Sequence, residues 1–220
     1  MKDTLVGENM LLKEALTLKD QLIEWRRHLH MNPELSFEEY ETAKFVLENL
    51  KDLGFEIQAP VAKTGIVALL RGTHPGPTVA LRADMDALPI QDAKSVTYAS
   101  TVPGVAHLCG HDAHTAILLG AAKILSKQRP LKGNIKFIFQ PAEEGLAGAL
   151  HMVQEGVLEN PDVDVIAGLH VHPTASTGFI TVAKDVAMAC ADSFDIEVIG
   201  EGGHAAHPHM SIDSITVAAE

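Results

Sequence analysis

Apolar residues recur at helical spacing from Leu11 to His30, through Leu12, Ala15, Leu16, Leu22, Ile23 and Trp25, and stop before Asn32-Pro33. This period predicts a first amphipathic helix. Ser36-Phe37-Glu38-Glu39 then has the spacing of a capping box, with Tyr40, Ala43, Val46, Leu47 and Leu50 along one face and Gly54 just past the end. A second helix is expected there. Beyond it the pattern changes to short runs rich in branched residues, bounded by turn residues. These predict strands over Gly65–Leu70, Thr78–Arg82, Asn134–Phe139, Val163–Leu169 and Gly178–Ala183. The stripe of Ile117, Leu118, Ala121, Ala122 and Leu125 predicts a helix over Thr115–Gln128, and Gly148–Gln154 reads as another.

Strands alternating with helices imply an α/β fold, a mostly parallel sheet flanked by helices. Such sheets bind ligands beyond the carboxyl ends of their strands, which brings forward Asp84 and Asp86, Glu143 and Glu144, and His170. From Asp192 to Gly200 the pattern differs again: Phe194, Ile196 and Val198 alternate with Asp195 and Glu197, as in a half-exposed strand. A second, α+β domain is therefore expected over 186–220, with 1–185 forming the first. After the turn Gly200–Gly203 a helix begins near Ser211 and runs to Glu220 without a C-cap signal.

Composition narrows the function. With 17 Lys+Arg against 29 Asp+Glu the formal net charge is −12, which argues against nucleic-acid backbones or anionic membranes as main partners and points to a small molecule. Two cysteines, Cys109 and Cys190, cannot build a disulfide framework, so a reducing, cytoplasmic compartment is expected. Cys190, between two alanines, reads as a small buried residue without a role. The N-terminus lacks the apolar stretch of a signal peptide, and no segment approaches the ~18 apolar residues of a membrane span. The unusual number is 12 histidines, most of them in the clusters His107/His111/His114, His170/His172 and His204/His207/His209.

Cys109-Gly110-His111-Asp112-Ala113-His114 gathers a thiol, two imidazoles and a carboxylate in front of a helix. Thiolate and imidazole suit zinc and similar ions; the alternative is a helix start capped by Asp112 or Thr115, with incidental histidines. The adjacent Glu143 and Glu144 point in different directions after a buried strand. One can hold a metal while the other faces an attacking water, or both can be a solvated loop pair. Asp84 and Asp86 lie on one side of an extended segment and can orient a ligand imidazole or cap a turn. His170 follows a strand as a further ligand or a structural histidine. In Gly202–His209, His204 can donate a hydrogen bond to a developing oxyanion or sit in a surface turn.

Together, Trp25–His30 with Pro33–Ser36, Arg82–Pro89 (RADMDALP), His107–His114 (HLCGHDAH), Phe139–Gly145 (FQPAEEG), Gly168–His170 and Gly202–His209 resemble the M20 metallopeptidase family. The likeness is to its amidohydrolase branch of N-acyl-amino-acid amidohydrolases, hippurate hydrolases and auxin-conjugate hydrolases, and the motifs span the chain from Trp25 to His209. The resemblance implies a zinc-peptidase-like catalytic domain, two divalent metal ions (zinc or manganese, with cobalt or nickel as further occupants), and hydrolysis of the amide of an N-acyl amino acid or short peptide. Cys109, His111, Glu144 and His170 are the implied ligands, Glu143 the general base, and Asp86 the support of a ligand. His204 resembles a lid-domain histidine that reaches the partner's site in a homodimer or higher oligomer. Family members are usually longer, and the lid domain is followed by more catalytic domain carrying a last histidine ligand. This chain is therefore expected to be an N-terminal part. Alternatives within the same motifs are a carboxypeptidase, an N-acetyl-diaminopimelate deacetylase, and a non-catalytic metal-binding remnant.

Overall fold

The computed structural model describes residues 2–186, 188 and 194–220, so Cys190 and the first two residues of the strand expected from Asp192 lie outside the described residues. Two compact units are formed, Met1–Pro173 and Thr174–Glu220.

The first unit opens with two helices, where the pattern predicts one. α1 (Lys2–Thr17) and α2 (Lys19–Met31) meet at Leu18. There the Leu18 N–H donates to Ala15 O, only three residues back, and the Thr17 hydroxyl donates to Glu14 O at 2.7 Å, so the last turn tightens and ends. α3 (Tyr40–Leu50) buries Thr42, Val46 and Leu50. Its start is capped from a distance. Glu34 accepts the Glu41 and Thr42 N–H groups at 3.1 and 2.8 Å, and the expected capping box does not form because Ser36 and Glu39 are engaged elsewhere.

The sheet has five strands in the order β1-β2-β4-β3-β5: β1 (Glu56–Val61), β2 (Gly65–Arg71), β3 (His74–Asp84), β4 (Lys132–Gln140) and β5 (Val165–Gly168). It is mixed. β3 runs parallel to both β4 and β5, whereas β1 and β2 add an antiparallel edge. β1 was not expected from the pattern, and Gly178–Ala183 forms no strand: its Phe179, Ile180 and Val182 are exposed, with no described neighbour to complete a ladder. Residues 194–200 likewise have no regular structure.

Period-two alternation gives the sheet two apolar faces. Ile66, Ala68, Leu70, Ala83, Phe137 and Phe139 face α2, α3 and α4 (His111–Leu125), whose Trp25, Val46, Leu50 and Leu119 close the larger core. On the opposite face Val67, Ala80 and Ile138 pack with Met152 of α5 (Gly148–Gln154). Phe137 and Phe139 are fully buried, and emptying either position costs about 3–5 kcal/mol by the usual large-to-small scale. The two faces hold β3, β4 and β5 so that their carboxyl ends open together, beside the first turn of α4.

The second unit contains a short 3-10 turn, Pro208–Met210, and α6 (Ser214–Ala219), whose first turn is capped by Asp213. Among the described residues no helix is long and apolar enough to cross a membrane.

Candidate metal centre

The carboxyl ends of the three parallel strands converge on one residue, His111, the first of α4. It is fully buried. Its Nδ1 lies 2.9 Å from Asp86 O; a carbonyl oxygen only accepts, so the ring proton sits on Nδ1 and leaves a bare lone pair on Nε2. Around that Nε2 stand Asp84 Oδ2 at 3.6 Å, Glu143 Oε2 at 3.8 Å and Glu144 Oε1 at 3.9 Å. The donor atoms of His111, Glu143 and Glu144 form one group within 4.8 Å, and those of Cys109, His111 and His170 form another. His111 belongs to both.

Each neighbour arrives by its own element. Glu143 and Glu144 sit in the loop after β4, which turns through left-handed Ala142 (φ 52°). The Ala142 N–H is held by Glu39 Oε1 at 2.8 Å, and the Glu144 N–H by Asp86 Oδ2 at 2.9 Å. Asp86 also accepts the Ser36 hydroxyl at 2.6 Å, a contact made possible where residues 34–36 bridge to Ala87. His170 follows β5; its Nδ1 donates to Val171 O at 2.7 Å and its Nε2 lies 3.3 Å from Cys109 Sγ. Asp112, one residue after His111, faces away from this group and is held by Arg26 Nε at 2.8 Å and His30 Nδ1 at 2.7 Å. Neither Asp112 nor Thr115 caps α4, since the Thr115 hydroxyl donates to Asp84 O.

Charge in the site is lopsided. Burial and then the Glu144, Glu143 and Asp84 carboxylates push the Cys109 thiol up to about 12. Burial also raises Glu144, with the neighbouring carboxylates adding to it. Burial works against His111 as a cation, but the Asp86 bond and the Asp84 charge outweigh it and raise its pKa. This is a pocket of negative potential that favours positive charge. Two orphaned atoms test what kind: His111 Nε2 and Glu144 Oε1 are buried and have no hydrogen-bond partner. Such atoms are costly unless a partner fills the gap. A nitrogen and a carboxylate oxygen 3.9 Å apart suit a shared cation with ~2 Å bonds, and thiolate, imidazole and carboxylate are divalent-metal donors. The residues fit a metal.

Of the residues singled out in the sequence, Cys109, His111, Glu143, Glu144, His170 and Asp86 therefore share one site. His204 lies in the second unit, exposed, with its Nδ1 accepting the Ala206 N–H at 3.1 Å. Sequence reasoning missed three supports: Glu39, which holds a backbone N–H 103 residues away, Ser36, which reaches Asp86 across fifty residues, and Arg82, whose guanidinium donates to Asp84 at 2.7 Å and to Gln140 at 2.8 Å. It also missed the buried His30–Asp112 pair, whose partners are 82 residues apart.

An α/β sheet whose carboxyl edge gathers a thiol, imidazoles and paired glutamates defines a metallohydrolase-type scaffold. The chain belongs to peptidase family M20/M25/M40, whose pattern matches residues 80–220, as the motifs implied. It is 50% identical over 206 residues to an N-acyl-L-amino acid amidohydrolase of Geobacillus stearothermophilus, covering 92% of this chain and 55% of that protein. It is 45% identical over 214 residues to thermostable carboxypeptidase 2 of Saccharolobus solfataricus, covering 96% and 54%. A solved Bacillus subtilis structure, the YxeP protein, described as a dinuclear metal binding peptidase from the M20 family, matches with a TM-score of 0.68 at 46% sequence identity. That match covers 72% of this chain and 44% of the solved one. The chain thus spans about half the length of the curated relatives it matches.

Proposed function

We propose that the protein carrying this chain is a metal-dependent hydrolase that cleaves the amide bond of N-acyl amino acids or similar conjugates. The observation that carries this reading is the meeting of the unpartnered His111 Nε2 with the unpartnered Glu144 Oε1, with the Glu143 carboxylate beside both. Cys109, His111, Glu144 and His170 would hold two divalent ions, with Asp86 supporting His111 and Glu144. The thiolate favours zinc, and manganese, cobalt or nickel suit the same donors. Bound there, the ions supply Lewis-acid polarisation of the scissile carbonyl and acidify water.

The remaining chemistry belongs to the chain. Glu143 is the more exposed of the glutamate pair, its side chain 40% accessible against 19% for Glu144. It takes a proton from the attacking water as the oxygen bonds to the carbonyl carbon. It then returns that proton to the nitrogen as the C–N bond breaks, so that a neutral amine departs. His204, on a glycine-rich turn, is assigned the hydrogen bond to the oxyanion, donated from the partner subunit of a homodimer. Residues 186–220 are assigned to the beginning of a lid and dimerisation domain, and 1–185 to the catalytic domain. The scarcity of cysteine supports a cytoplasmic location.

A carboxypeptidase is the second reading, favoured by the similarity to the Saccharolobus protein and compatible with the same donors. Elemental analysis of the full-length protein, with parallel assays on N-acetyl amino acids and on dipeptides, separates the readings. About two ions per chain and faster release from N-acetyl amino acids are expected. Faster dipeptide cleavage selects the carboxypeptidase, and metal without any turnover leaves a non-catalytic binding protein.

A further inference from the structure

His114 is fully buried, and both of its ring nitrogens are engaged. Its Nε2 lies 2.9 Å from the backbone nitrogen of Val171, and its Nδ1 2.6 Å from Asp84 Oδ1. A backbone N–H only donates, so Nε2 accepts, and the ring proton is on Nδ1, directed to the carboxylate. Although His114 stands with Asp84 and His111 in a group whose donor atoms lie within 4.8 Å, it has no lone pair left for a cation. Its role lies elsewhere.

The contacts form a line. Arg82 Nη1 holds Asp84 Oδ2 at 2.7 Å, Asp84 holds His114, His114 holds the Val171 N–H, and Val171 O holds His170 Nδ1 at 2.7 Å. At its end, His170 presents Nε2 to Cys109 Sγ at 3.3 Å. The rings of His114 and His170 also meet edge to face, with centroids 4.6 Å apart. Gly110 completes the seat: a Cβ there would come within 2.3 Å of Val171 Cγ2. His170 and Val171 themselves lie on an exposed stretch beyond β5. Such a stretch loses conformational entropy when it is ordered by a ligand, unless something buried has ordered it beforehand.

We propose that His114 is a positioning residue: by accepting the Val171 N–H it holds the loop after β5 so that His170 aims its free nitrogen at Cys109. This inference rests on the reading of the site as a metal centre.

The test uses cobalt(II) as the probe on the full-length protein, titrated against a competing chelator and followed by thiolate-to-cobalt charge-transfer absorbance. Four proteins are compared with the wild type: His114→Leu and His114→Gln, both close to histidine in volume, His170→Ala, and the His114→Leu/His170→Ala double variant. Loss of such a supporting contact typically weakens a metal 10–100-fold. His114→Leu should weaken one cobalt by that factor and shift the charge-transfer band. His114→Gln, whose amide oxygen can reach the Val171 N–H, should recover most of the affinity. In the His170→Ala background the leucine substitution should cost nothing further, since His114 acts through His170. Unchanged affinity in His114→Leu overturns the proposal, as does an additive loss in the double variant or a glutamine variant no better than leucine. A wild-type protein that binds no cobalt removes the metal-centre reading and this proposal with it, which is a different result from wild-type binding that His114 does not influence.

Discussion

Asp86 grips His111 with two acceptors, its backbone oxygen at 2.9 Å and its carboxylate Oδ1 at 3.3 Å from the same Nδ1. Its second carboxylate oxygen takes the Glu144 N–H and the Ser36 hydroxyl. One buried residue thus sets both the tautomer of an imidazole, chiefly through its backbone oxygen, and the course of the loop that carries a glutamate, through its carboxylate. The two atoms it aims, His111 Nε2 and Glu144 Oε1, are both buried without a hydrogen-bond partner.

Replacing Asp86 with alanine should therefore weaken metal binding by about 10–100-fold, the usual cost of losing a support behind a ligand. Ser36→Ala, which removes only one of the bonds to Asp86, should cost less. Chelator competition on the full-length protein reads both, and an affinity untouched by Asp86→Ala contradicts the role given to it.

Glu39 supplies a prediction in pH. It is fully buried, and burial, the largest influence, raises its pKa above 4.5 although Thr64 and Ala142 donate to it. A raised pKa means that the folded chain holds the proton more tightly than the unfolded one. The stabilisation is complete below 4.5 and is lost as the pH rises through the higher folded value. Glu39→Gln removes the titration and keeps an acceptor for the Ala142 N–H. Urea midpoints should move in the variant's favour, relative to wild type, as pH goes from about 4 to about 7. A gap independent of pH contradicts the assignment.

Gly110 sits at φ 93°, and an added Cβ would strike Val171 Cγ2. Gly110→Ala should cost about 1–3 kcal/mol, the range for a side chain forced into the left-handed region, and should disturb His170 through Val171. Denaturant unfolding measures the first effect. A variant as stable as wild type means that the turn relaxes freely.

Much of the architecture is written in local pattern. β2, β3 and β4 announce themselves as apolar runs because both faces of the sheet are covered, and α5 has the bounds its spacing predicts. β1 escapes for the opposite reason: five of its six residues are exposed and it contains Pro60, so no alternation marks it. The capping-box spacing misleads because Glu39, in the position of the reciprocal acceptor, is drawn instead to Thr64 and Ala142, the latter 103 residues away. The donor residues are legible because they cluster in short motifs. Their supports are not: the partners of His114 are 30 and 57 residues distant, and one is a backbone N–H that carries no residue signature.

In the proposed hydrolysis the adjacent glutamates divide the labour, Glu144 holding metal and Glu143 moving the proton. This division is tested most directly by Glu143→Gln in the full-length protein, with metal content by elemental analysis and turnover of an N-acetyl amino acid measured on the same sample. About two ions should be retained, as in wild type, and turnover should fall by at least about 100-fold, the scale of a lost general base. Retained turnover, or loss of metal in step with activity, would contradict this division.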